Sequence, residues 1–97
     1  MKPYNTLDEA RLEIDEIDAQ LVELISKRSH IIRKIASFKD SIEEVKTDDR
    51  IDFILQRVRH LAIEKNISPN LISELFTIMI DEMVETEIAE LRNKKTF

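Results

Sequence analysis

From Leu7 to Lys39 the chain has neither Pro nor Gly, and its apolar residues recur every seventh position. Placing Leu7 at a, the a positions are Leu7, Ile14, Leu21, Arg28 and Ile35, and the d positions are Ala10, Ile17, Leu24, Ile31 and Phe38. All but Arg28 are apolar. Thr6 stands ready as an N-cap, with Glu9 three residues on as its capping-box partner. The pattern predicts one uninterrupted helix of about 33 residues.

Such a helix constrains the whole molecule. At about 1.5 Å rise per residue it is ~50 Å long. A compact chain of 97 residues has a radius of gyration of ~12–13 Å and so a diameter of ~32–35 Å. Two shorter helices cannot cover its seam, and soluble monomers avoid leaving one bare. The simplest remedy is a twofold homodimer with the long helices packed together.

The remainder reads as two more helices. Segment 40–47 mixes charges with Ile42 and Val45 and reads as a loop. Thr47 or Asp48 then caps a second helix with Ile51, Ile54, Leu55, Val58, Leu61 and Ala62 on one face, ending near Asn66. Ser68 and Pro69 form an N-cap and first helical position for the third. Its apolar stripe runs through Ile72, Phe76, Met79, Ile80 and Met83 to Leu91, and the tail from Asn93 should fray. The fold expected is all-α: residues 1–97 form a single domain of three helices, intertwined with a second copy.

Composition narrows the function. A net charge of −5 argues against non-specific nucleic-acid binding, which needs a basic surface. No apolar run approaches membrane-spanning length, and the N-terminus has no apolar core of a signal peptide. The chain has no Cys, so it has neither disulfides nor thiolate metal sites, which fits the cytoplasm. With no Gly it cannot form a glycine-rich phosphate loop. His30 and His60 are solitary and lack metal-ligand spacing. No metal and no cofactor is expected.

A few residues break the patterns. Arg28 interrupts the apolar seam, where an unpaired buried guanidinium would cost several kcal/mol. It is either a register-setting or snorkelling residue or a ligand-binding one. Arg11 and Lys39 share the adjacent e position but lie ~42 Å apart along one helix. They cannot meet on a small ligand within a chain, whereas in an antiparallel dimer Arg11 of one subunit could approach Arg28 and Lys39 of the other. Otherwise both are ordinary solvated charges. Glu87 lies on the third helix's apolar stripe between Met83 and Leu91. Either burial ends near Met83 and Glu87 is exposed, or this carboxylate has a proton or a cationic partner. Arg50, in the first turn of the second helix, opposes the helix dipole. It is held for a ligand or by Asp48 and Asp49.

Taken in order, these residues resemble the all-helical chorismate mutases over roughly Leu7 to Leu91. Arg11-Leu12-Glu13-Ile14-Asp15-Glu16-Ile17-Asp18 matches the R-x-x-I-D-x-I-D signature, and Leu21 to Arg28 continues as L-x-x-L-I-x-x-R. Phe38-Lys39, Arg50, and Leu75-Phe76 with Ile80 complete the resemblance. It implies the pericyclic conversion of chorismate to prephenate, without metal or cofactor. It implies that Arg28, with Arg11 from the partner chain, binds the substrate carboxylates, supported by Arg50. Lys39 and Glu87 would donate to the ether oxygen. Such a rearrangement needs no nucleophile, only positioned cations and donors in a dry pocket. The chain also departs from the family. Ile51 stands where typical mutases carry a Glu that contacts the substrate hydroxyl, Met83 where they carry Ser, and Thr47 where they carry Asp. An apolar residue after Arg50 is also similar to the related isochorismate-pyruvate lyases, and an aminodeoxychorismate mutase is a third reading. The alternative outside enzymology is a non-catalytic helical dimer acting as an interaction module, which would gain nothing from four cations converging on a pocket.

Overall fold

The computed structural model describes residues 5–45 and 48–95. It contains three long helices and one single-turn helix: α1 (Leu7–Ala36), α2 (Ile42–Val45), α3 (Asp48–Glu64) and α4 (Pro69–Lys95). There is no strand among the described residues, so the fold is all-α as expected. The chain divides into two compact units, Met1–Ile31 and Ile32–Phe97, with the boundary inside α1.

The first unit is helical from Leu7 onward. The Glu9 amide donates to Thr6 Oγ1 at 3.1 Å, and Glu9 Oε2 accepts from the Asn5 amide at 2.8 Å. The expected cap is therefore present, with the Glu reaching back one residue further than in the usual capping box. Leu7, Ile14, Leu21, Leu24 and Ile31 of the seam are all exposed, between 51% and 64%.

At its other end α1 stops at Ala36, three residues short of Lys39. The amides of Ser37, Phe38 and Lys39 reach back three residues instead of four, to Lys34 O, Ile35 O and Ala36 O. This tightens the last turn into 3₁₀-type bonds. The Ser37 hydroxyl also donates to Lys34 O at 2.6 Å, a side-chain bond that competes with helix continuation. Phe38, the last d position of the expected seam, thus falls outside the helix and is 81% exposed.

Segment 40–47 is not all loop. Ser41 Oγ accepts from the Glu44 amide at 3.3 Å, and Glu44 Oε2 accepts from the Asp40 amide at 2.9 Å. This repeats the arrangement at Thr6 and Glu9 and starts α2, whose last residue, Val45, is buried. Thr47 lies outside the described residues.

The second unit has its core where α3 and α4 pack, with α2 also against α4. Val58 and Ala62 of α3 and Ile80, Met83, Ile88 and Leu91 of α4 are buried, on the stripes that helical spacing predicts. The turn between these helices solves a problem for a chain without Gly. Asn66 takes φ 62°, the left-handed conformation that ends many helices. The Asn66 amide then bonds to Ile63 O at 3.1 Å and the Ile67 amide to Ala62 O at 3.0 Å, a Schellman motif with Asn in place of Gly. Ser68 caps α4 as expected, its Oγ accepting from the Leu71 amide at 3.2 Å. Arg59 Nη1 ties α3 to this start through Asn70 Oδ1 at 3.2 Å. The tail expected to fray from Asn93 is still helical as far as Lys95, and residues 96–97 lie outside the described residues.

Candidate functional site

The second unit brings two of the singled-out residues together. Lys39 Nζ lies 3.1 Å from Glu87 Oε1, with the side chains 22% and 8% exposed. Local structure explains both positions. Lys39 follows the tightened end of α1, so the helix presents it from a turn. Glu87 falls one helical turn after Met83 and one before Leu91, and both are buried. Burial on α4 therefore continues past Met83 and encloses the carboxylate, which rules out an exposed Glu87. A buried carboxylate needs compensation, and Lys39 supplies it as a charge-assisted contact.

The other residues of this unit stand as follows. Arg50 is exposed in the first turn of α3, and its guanidinium lies over the Phe53 ring, 5.3 Å from the centroid. That is cation–π distance, and Phe53 is a contact the sequence reading missed, although i and i+3 face each other on a helix. Ile51 is half-buried on α3 and Met83 is buried on α4, so neither offers a charge to its surroundings.

Arg11 and Arg28 belong to the first unit. Arg11 is exposed, whereas Arg28 is half-buried, with its Nη1 atom out of reach of solvent. Seventeen positions apart on α1, they are separated by about 26 Å along the axis, too far to meet on one small ligand within the chain. Among the described residues no cluster of His, Asp or Glu is arranged to hold a metal ion, and no helix is long and apolar enough to cross a membrane.

Comparison with known proteins agrees with the all-helical fold. The family model described as chorismate mutase type II matches residues 10–88. The chain is 29% identical over 92 residues to a chorismate mutase of Methanocaldococcus jannaschii, covering 91% of this chain and 93% of that protein. It is 32% identical over 95 residues to a bifunctional chorismate mutase/prephenate dehydratase of Buchnera aphidicola subsp. Schizaphis graminum. A protein of the same description from Buchnera aphidicola subsp. Acyrthosiphon pisum is 31% identical over 88 residues. The chain covers 97% and 90% of its own length in these two matches but only 24% and 23% of theirs.

Proposed function

Because the chain belongs to the chorismate mutase type II family, an isomerase family, we propose that it converts chorismate to prephenate at sites shared between two copies of the chain. The observation that carries this reading is the Lys39–Glu87 pair at 3.1 Å. It sets a cation and a potential acid side by side, as stabilising charge on a reacting ether oxygen requires. Lys39 donates to that oxygen as the charge develops. Glu87 adds a second donor when it carries a proton, whereas as a carboxylate it would repel the same charge.

Arg28, backed by Arg50, binds the substrate carboxylates together with Arg11 of the second copy. The homodimer reading draws support from the exposed seam of α1, since an apolar face of this size calls for a partner. The separation of Arg11 from Arg28 points the same way: one chain cannot bring both to a single dianion. The substrate is a chorismate-like dicarboxylate. Nothing in the proposed chemistry draws on a metal, a cofactor, nucleic acid or a membrane, and the cysteine-free composition suits a cytoplasmic setting.

Ile51 favours one second reading. An apolar side chain cannot accept a hydrogen bond from the chorismate hydroxyl, and the related isochorismate-pyruvate lyases also carry an apolar residue there. Separate incubation with chorismate and isochorismate, followed by product identification, decides between them. Prephenate from chorismate is expected. Pyruvate from isochorismate with no prephenate from chorismate would overturn the mutase in favour of the lyase, and inertness toward both would leave a non-catalytic helical module.

A further inference from the structure

Lys39 sits beyond the end of α1, so the helix does not fix where its ammonium points. A lysine side chain has four rotatable bonds and is costly to hold in one place. The protein can restrict it by fixing the backbone from which it springs, and the turn after Lys39 is fastened at successive points. The Lys39 amide closes onto Ala36 O at 3.2 Å. The next amide, that of Asp40, donates to Glu44 Oε2 at 2.9 Å, and the Glu44 amide donates to Ser41 Oγ at 3.3 Å. One residue further, Val45 is only 4% exposed, and α2 packs against α4, the helix that carries Glu87.

A helix of four residues is far too short to sustain itself. Its cap and buried end therefore do more for the turn than for the helix. The bond from the Asp40 amide to a carboxylate is charge-assisted and so among the stronger of its kind.

We propose that Ser41 and Glu44 are positioning residues of the active site: their reciprocal capping bonds lock the turn between α1 and α2 so that Lys39 stays on Glu87 and, during turnover, on the reacting oxygen. The second half rests on the mutase reading, while the first concerns the ion pair alone and can be tested without substrate.

The experiment has two arms. In the first, Glu44→Ala lowers kcat for chorismate about 10-fold with KM little changed, because misplacement of a catalytic group falls on the chemical step. Glu44→Gln, which keeps an acceptor oxygen as capping boxes allow, restores most of the loss. In a Lys39→Ala chain, Glu44→Ala has no further effect, since coupled residues are not additive. In the second arm, urea unfolding measures the coupling between Lys39→Met and Glu87→Met. The coupling is present with Glu44 or Gln at position 44 and lost with Ala.

Equal effects of Glu44→Ala with and without Lys39, or an unchanged Lys39–Glu87 coupling, overturn the proposal. Should the wild-type chain not turn over chorismate, the mutase reading fails while the second arm still decides the role of Glu44. If Glu44→Ala does not fold, Ser41→Ala, which removes one of these bonds, and Glu44→Asp, whose shorter side chain weakens the other, take its place in both arms.

Discussion

Replacing Lys39 by Met should strand the Glu87 carboxylate, and the size of the penalty can be bounded from the structure. The charged atoms are 3.1 Å apart, with side-chain exposures of 22% and 8%. At an effective dielectric of about 20, two unit charges at that separation attract by roughly 5 kcal/mol. Desolvation of both groups cancels much of this, and removing one partner from a fully buried pair costs about 3–5 kcal/mol. Because Lys39 keeps some contact with water, the loss in Lys39→Met should fall below that range, at about 2–3 kcal/mol. Lys39→Met/Glu87→Met strands no charge and fills the space with apolar atoms, so it should come within about 1 kcal/mol of wild type. Activity should behave differently. Both variants lose the donor to the reacting oxygen, which costs on the order of 100-fold or more in kcat/KM. Urea unfolding followed by circular dichroism measures the stabilities. Chain concentration must be held constant, because oligomer stability depends on it. Loss of chorismate absorbance measures the rates. A double variant as unstable as Lys39→Met would show that the loss is not that of a stranded charge, and one that keeps wild-type activity would show that the pair serves the fold and not the chemistry.

The shared-site reading requires that mixed dimers of Arg11→Ala and Arg28→Ala chains recover activity that neither homodimer has, because both defects then fall in one site and leave the other intact. Mixing that restores nothing counts against it. Ile51→Glu should lower the KM for chorismate by roughly 5- to 150-fold, since leaving a hydroxyl unpaired typically costs ~1–3 kcal/mol. An unchanged KM would mean that this hydroxyl is not presented to α3.

Much of this architecture was legible because it is local. Thr6 with Glu9, and Ser68 with Pro69, mark helix starts through contacts three residues apart, and the stripes on α3 and α4 follow from periodicity alone. The same rule was available at Ser41 and Glu44, where S-x-x-E starts α2, but the charged surroundings hid it. The end of α1 was misjudged because a heptad pattern records which residues are apolar, not where the hydrogen-bond ladder stops. Phe38 keeps the pattern although the bonding has already changed at Ser37. The partner of Glu87 lay beyond reach for another reason. Periodicity shows that a carboxylate falls on a buried face, but which cation meets it depends on how α4 packs with the end of α1, and only the family resemblance, not a local pattern, put Lys39 and Glu87 at one oxygen.

The resting pair and the apolar residues near it in sequence together indicate how labour is divided in the proposed pocket. Met83, one turn before Glu87, and Ile51, next to Arg50, have no side-chain donor with which to grip a substrate hydroxyl. Under the proposed function, recognition of the substrate would fall on arginines, which read carboxylates and are indifferent to the rest of the ring. Such a pocket binds by charge and selects weakly among chorismate-like acids. Selectivity for the reaction must then come from where Lys39 stands. Glu87 holds that ammonium at 3.1 Å and balances its charge. In the proposed reaction an entering dianion gives Lys39 a competing anionic partner. On this view Glu87 keeps the cation in place before the reaction, and the ammonium does the work during it.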